Sequence, residues 1–202
     1  MLNPGFMKEQ LLQFDRQLFR LINVTWHNAF FDWLMPLLRT PVFWAPLYIF
    51  LIFFLILNDK KNAGWLILFA LITAVLTDQV SSTLIKHNIH RVRPCAEEAI
   101  ALWRRALVAC GGNSSFTSSH AANHFGLAVF FFLTTKDLFG KFIYLFFLWA
   151  FLVCYAQVYV GVHYPFDVIC GGIVGMLLAY FTAYIYNKFI LPSERNNHRK
   201  SI

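Results

Sequence analysis

The stretch Gln157-Val158-Tyr159-Val160-Gly161-Val162-His163-Tyr164-Pro165-Phe166-Asp167 decides the reading of this chain. It joins two long apolar segments and sets an imidazole and a carboxylate four residues apart where a membrane-length segment begins. Polar groups beside hydrocarbon are costly, and a hydrated helix end is where a membrane protein can use them. Pro165 suits the first turn of a helix, which would bring His163 and Asp167 together. A carboxylate beside an imidazole fixes its tautomer and leaves the other nitrogen free to attack. A His–Asp pair that only caps a helix has the same spacing, so this stretch alone leaves both readings open.

Composition sets the solvent. Of 202 residues, 58% are hydrophobic, 18% aromatic and only 13% charged, with a mean hydropathy of +0.56. A soluble domain of this size needs more charged surface, so the fold class is all-α, an integral membrane helical bundle. The net charge of +7 is scattered between apolar runs. It forms no basic face for nucleic acid, and fits basic loops at a bilayer surface or a cluster that binds an anion. The first residues show no short apolar core followed by a small-residue cleavage site, the pattern of a removable signal peptide.

Outward from the opening stretch, five spans are expected, at 41–57, 64–85, 118–135, 142–160 and 165–186. Short polar turns at 58–62 and 136–141 join them, and one long polar loop fills 86–116. Residues 1–40 form an interfacial N-terminal region, residues 41–186 the bundle and residues 187–202 a basic polar tail. From 9 to 25, Leu11, Phe14, Leu18, Leu21 and Ile22 share one helical side, while Gln10, Gln13, Arg16, Gln17 and Arg20 share the other. That pattern lies in an interface and does not span it. A second short aromatic piece runs from Asn28 to Leu38. Gly171, Gly175 and Ala179 recur every four residues, a small-residue stripe for close helix packing.

Folded up and down, these spans bring three polar segments to one membrane face. The first, Lys86-His87-Asn88-Ile89-His90-Arg91-Val92-Arg93-Pro94, places a point charge and a planar guanidinium seven residues apart. Both could hold phosphate oxygens, or snorkel to headgroups. The second is Phe116-Thr117-Ser118-Ser119-His120-Ala121-Ala122-Asn123. Its Ser/Thr run marks a helix N-cap, whose free N–H groups and dipole make an anion cradle with His120 in the first turn. A capped helix with a hydrated His is the plainer reading. The third is the opening stretch.

Together, Lys-x6-Arg-Pro, Ser-x-His opening a helix and Gly-Val-His-Tyr-Pro-x-Asp resemble the type-2 phosphatidic acid phosphatase family, the membrane relatives of vanadium haloperoxidases. The resemblance covers residues 41–186. It implies a metal-independent, cofactor-free lipid phosphate or diphosphate phosphatase. His163 would attack phosphorus and form a phosphohistidine, Asp167 would orient it, and His120 would protonate the leaving oxygen. Lys86, Arg93, Ser118 and the backbone around Ser119 would hold the phosphate. The partners implied are a phosphorylated lipid and the bilayer, with no nucleic acid and no protein partner. Polyprenyl diphosphate is slightly favoured; phosphatidylglycerol phosphate, phosphatidic acid and a lipid A-type phosphate are the other candidates.

Three positions depart from the family pattern. Thr117 stands where Pro is usual, Ser119 where Gly is usual, and Ala156-Gln157 where Ser-Arg is usual. Gln157 can donate hydrogen bonds to phosphate but no charge, and losing a charge-assisted contact costs roughly 1.5–3 kcal/mol. Arg91, Arg104 and Arg105 are candidates to compensate. The alternative is a weakly active or non-catalytic lipid-phosphate binder. His120 and His124, with His87 and His90 nearby, offer a weaker zinc reading, as no carboxylate or cysteine completes a convincing ligand set. Cys154 and Cys170 fall inside apolar segments, whereas Cys95 and Cys110 share the polar loop. A bond between the latter pair is left open; it would fit a site on the extracytoplasmic face of a bacterial inner membrane, the location expected here.

Overall fold

The computed structural model describes residues 4–111 and 114–191, which takes in every expected site residue but leaves the tail from 192 outside. The described chain is helical throughout its ordered elements. It comprises α1 (Pro4–Arg20), α2 (Ala29–Leu38), α3 (Ala45–Asn58), α4 (Ala63–Gln79), the short α5 (Lys86–Asn88), α6 (Ser119–Phe139), α7 (Tyr144–Tyr159) and α8 (Pro165–Ile185). A π-helical turn at Val80–Ile85 carries α4 into α5 without a break.

Four helical stretches are long and apolar enough to cross a membrane: Pro41–Asn58, Ala63–Asn88, Ser119–Tyr159 and Pro165–Ile190. The third has 41 residues, which as one straight rod would measure about 60 Å, twice a hydrocarbon layer of about 30 Å. It does not run straight. Gly140 takes a φ of 52°, α6 ends there, and α7 returns along α6 with Phe131 and Phe146 5.0 Å apart and Phe139 and Phe146 5.3 Å apart. The four stretches therefore fold as five apolar helical segments, at the places where the apolar runs predict spans.

α6 is the central helix and packs on α4, α7 and α8. The stripe on α8 lets it approach. A Cβ on Gly171 would overlap the carbonyl of Ser118, and one on Gly175 that of Ala122. Small polar side chains bind α4, α6 and α8 in the apolar interior: Thr73 and Thr182 lie 2.7 Å apart, and Thr77 donates to Asn123 Oδ1 at 2.8 Å. Such contacts are the adhesives available where lipid removes the hydrophobic drive between helices.

The N-terminal helices cover the polar end of this bundle. On α1, the Leu11 and Phe14 side of the amphipathic pattern is exposed, and the residues turned fully inward are Asp15 and Phe19, both at 0% exposure. Gln10, Gln13, Gln17 and Arg20 on the expected polar side are exposed as well, so the inward face is a third one, set by Asp15 meeting Arg91 of the loop and the Phe166 N–H at the start of α8. α2 begins at its Asn28 N-cap, which accepts from the Phe31 N–H at 2.9 Å. Met35 and Leu38 on α2 pack with Ala156, Tyr159 and Val160 around the end of α7. The polar loop between them is pinned by a Cys95–Cys110 disulfide with Cα atoms 5.7 Å apart. Cys154 and Cys170 are free.

Candidate active site

α8 starts at Pro165, with Asp167 in its first turn accepting from the Tyr164 N–H at 2.9 Å. This capping bond turns the carboxylate back toward the preceding loop. Oδ2 lies 3.6 Å from His163 Nδ1. Ser115, fully buried, stands between them: its hydroxyl donates to Asp167 Oδ2 and lies 3.4 Å from His163 Nδ1. On the other side of the ring, Arg93 Nη1 donates to His163 Nε2 at 3.3 Å and to the Val162 carbonyl at 3.1 Å. A guanidinium only donates, so Nε2 is the acceptor and the proton sits on Nδ1, toward Ser115 and Asp167. Burial holds His163 below the ordinary imidazole range, with the Asp167 charge opposing that shift.

The loop is set by Gly161, whose φ of 91° lies in the left-handed region and on which a Cβ would overlap the Arg105 carbonyl. The turn lets the Val162 and His163 N–H groups return to the Gln157 carbonyl at 3.2 and 3.3 Å. His163 is thereby fixed at both backbone and ring.

The second polar segment caps α6 as expected. Ser118 Oγ accepts from the Ala121 N–H at 3.4 Å, and the Ser118 N–H donates to the Asp167 carbonyl at 3.0 Å. Ser118 thus ties the two helix starts together, leaving the N–H groups that follow it to serve as a cradle. Ser119 acts through its side chain. Its Oγ accepts from Lys86 Nζ at 2.8 Å and meets Ser82 at 2.7 Å and Ser81 at 3.2 Å. The departure from Gly at this position has given Lys86 an anchor. His120, one residue on, lines the same cleft as Ser119.

Gln157 is fully buried. Its Oε1 accepts from Arg39 Nε at 3.4 Å, and its Nε2 has no hydrogen-bond partner among the described residues. The three arginines considered as compensation are occupied otherwise. Arg91 donates to Asp15 at 2.6 Å and to Asp167 at 2.7 Å. Arg104 donates to the Glu97 carbonyl, and Arg105 pairs with Asp32. Carboxylates captured Arg91 and Arg105, and a backbone carbonyl captured Arg104.

Three residues escaped the sequence reading. Asp15 offered one signal: it is the single acidic residue between Glu9 and Asp32. Arg39 offered only its place at the end of a short aromatic helix, and Ser115 none beyond the serine run. A cleft of about 520 Å³ extends from Ser119 and His120 along apolar residues of α3 and α4, among them Leu55, Ile67 and Leu71. A smaller cavity of about 430 Å³ lies on the loop side, lined by Arg91, Arg93, Cys110 and Gly111.

Known proteins resemble this chain in sequence and fold. The chain is 33% identical over 194 residues to a lipid A 4'-phosphatase of Bacteroides thetaiotaomicron, covering 88% of this chain and 80% of that one. A lipid A 4'-phosphatase of Porphyromonas gingivalis is 29% identical over 182 residues, covering 88% and 75%. Among solved structures, Aquifex aeolicus LpxE superposes with a TM-score of 0.59 at 26% identity, covering 82% of this chain and 92% of that one. The PAP2-type phosphatidylglycerolphosphate phosphatase of Bacillus subtilis shares the fold, with a TM-score of 0.65 at 21% identity over 89% and 88%. The PAP2 superfamily model matches residues 63–191. The chain belongs to the PAP2 superfamily and is an integral membrane lipid phosphatase.

Proposed function

We propose that this protein removes a phosphate from a lipid A-type glycolipid, with His163 as the nucleophile. The 33% identity to the Bacteroides thetaiotaomicron lipid A 4'-phosphatase across most of both chains carries the substrate. It displaces polyprenyl diphosphate, the class slightly favoured by sequence reasoning alone. The chemistry rests on the unprotonated Nε2 of His163, whose lone pair accepts from Arg93 in this structure and is kept in that tautomer by the Ser115–Asp167 contacts on the opposite nitrogen.

In the proposed first step, Nε2 bonds to phosphorus and the bond from phosphorus to the lipid oxygen breaks. His120 gives its proton to that oxygen. In the second step, water attacks phosphorus, its proton passes to His120, and the His163–phosphorus bond breaks to release inorganic phosphate. Phosphoryl transfer asks mainly for positioning and for positive charge around the equatorial oxygens. Arg93, Lys86 and the N–H groups at the start of α6 supply both. The apolar cleft running from His120 between α3 and α4 suits an acyl chain, which would let the headgroup reach the site while the lipid stays in its leaflet. We place the site on the extracytoplasmic face of a bacterial inner membrane, because its loop carries a disulfide, a bond that persists in oxidising compartments.

Purified protein should release phosphate from lipid A faster than from phosphatidylglycerol phosphate, phosphatidic acid or undecaprenyl diphosphate, and His163→Ala should release none. Preferred turnover of undecaprenyl diphosphate would overturn the substrate. Undiminished release by His163→Ala would overturn the mechanism.

A further inference from the structure

We infer that Arg39, from the N-terminal helix α2, is a phosphate-binding residue of this site, acting with Gln157 in place of the single arginine usual at position 157. The inference rests on reading the His163 cluster as the phosphate site. Arg39 lies outside the segment that matches the PAP2 superfamily, residues 63–191.

The geometry begins with Leu38, buried against the end of α7 and only 6% exposed. Its carbonyl accepts from Trp44 Nε1 at 2.6 Å, while the Arg39 N–H donates to the Met35 carbonyl at 3.3 Å. The backbone at Arg39 is therefore fixed, and its side chain runs inward to Gln157. Arg91, Arg105 and Arg16 each meet a carboxylate; Arg39 meets none among the described residues. Its neighbour in charge is instead another cation. Burial lowers the Arg39 pKa from its ordinary value, and the charge of Arg93 lowers it further. Arg93 also acts on Lys86. Arg93, which donates to His163 Nε2, thus repels both Arg39 and Lys86, an arrangement that an anion would relieve, and Arg39 reaches Gln157, whose carbonyl accepts from the His163 N–H.

Gln157 supplies the second, independent sign. Its amide orientation is fixed, because Arg39 Nε can only donate and must meet Oε1. The NH2 end is left fully buried with no acceptor. Buried donors are almost always paired, so an orphan beside a cationic cluster marks the place of a ligand oxygen. Arg39 and Gln157 together reproduce what one arginine would offer: Arg39 carries the charge, and Gln157 both steers the guanidinium and donates one hydrogen bond. The amide fills space that an arginine at 157 would have claimed.

The test is a rescue series on the full-length protein in detergent. Arg39→Ala should lower kcat/KM for lipid A roughly 10- to 100-fold, as loss of one charge-assisted phosphate contact does. Adding Gln157→Arg to that variant should restore activity to within about threefold of wild type. A role confined to holding the end of α2 would not be rescued from position 157. Arg39→Ala activity within twofold of wild type overturns the inference, as does a loss that Gln157→Arg leaves untouched. A second readout separates this inference from the phosphatase reading. Orthovanadate, a phosphate mimic, should raise the melting temperature of the wild type and of Arg39→Ala/Gln157→Arg more than that of Arg39→Ala. Equal protection of all three overturns the role of Arg39 even if no lipid tested is a substrate.

Discussion

Asp15 Oδ2 accepts from Arg91 Nη2 at 2.6 Å, so a helix that reads as a surface float is ion-paired into the catalytic end of the bundle. The same guanidinium reaches Asp167 at 2.7 Å with its other nitrogen and lies 4.3 Å over the Tyr164 ring. Asp15 also accepts from the Phe166 N–H at 2.9 Å, at the start of α8. Removing one partner of a buried pair strands the other. Asp15→Ala should cost about 3 kcal/mol, the low end for such pairs because Arg91 keeps Asp167. Thermal unfolding in detergent checks it, and lipid phosphatase activity should fall in parallel as Arg91 pulls Asp167 off its His163 geometry. Asp15→Asn, which keeps the bond to Phe166, should lose less.

The pH profile reports on His163. Burial is the largest influence on its ring and lowers its pKa below the usual 6.5, so the imidazole is neutral and nucleophilic at neutral pH. The acid limb of kcat/KM should therefore lie below 6.5. Asp167 opposes this shift by favouring the charged ring. Asp167→Asn removes that opposition, so the acid limb should move to still lower pH. Turnover should also drop roughly 10²- to 10⁴-fold, because the tautomer is no longer held. An acid limb that moves upward in Asp167→Asn would contradict the assignment.

The Cys95–Cys110 bond closes a loop with a sequence separation of 15, worth about 3 kcal/mol in the chain-entropy account. Arg91 and Arg93 lie just before Cys95, outside the closed loop but next to its anchor. Reduction, or Cys95→Ser with Cys110→Ser, should lower the melting temperature and weaken phosphate release through a higher KM. Maleimide labelling of denatured protein should modify two cysteines before reduction, Cys154 and Cys170, and all four after it.

The stripe on α8 makes a packing prediction. Gly175→Val should cost at least about 1–3 kcal/mol, since even a Cβ overlaps the Ala122 carbonyl and both helices are held elsewhere. Because Ser118 and Asp167 sit one to two turns above on the same helix pair, activity should fall with stability. The check is phosphate release together with thermal unfolding.

Much of this was readable in the sequence, for identifiable reasons. Long apolar runs gave the five apolar helical segments, Pro165 gave the start of α8, and Ser118 gave the cap of α6, because each depends on nearby residues. His163 and Asp167 were paired by helix geometry alone. Asp15 and Arg39 were not readable: their meaning comes from two N-terminal helices folding over a loop more than fifty residues away, an arrangement no local pattern encodes. The same distance effect misplaced Arg91, Arg104 and Arg105. Their charge suggested phosphate, and only the fold shows the acceptors that captured them. Ser119 changed meaning in another way, from a defect in a cradle to the acceptor that positions Lys86.

The central claim is that His163 carries the phosphoryl group between lipid and water. The most direct measurement is rapid alkaline quench of the enzyme with lipid A labelled in its phosphate, followed by peptide mapping. The label should appear as an acid-labile, base-stable adduct on His163 and be absent from His163→Ala. Turnover of lipid A by the wild type with no label at His163, or with the label unchanged in His163→Ala, would contradict the account.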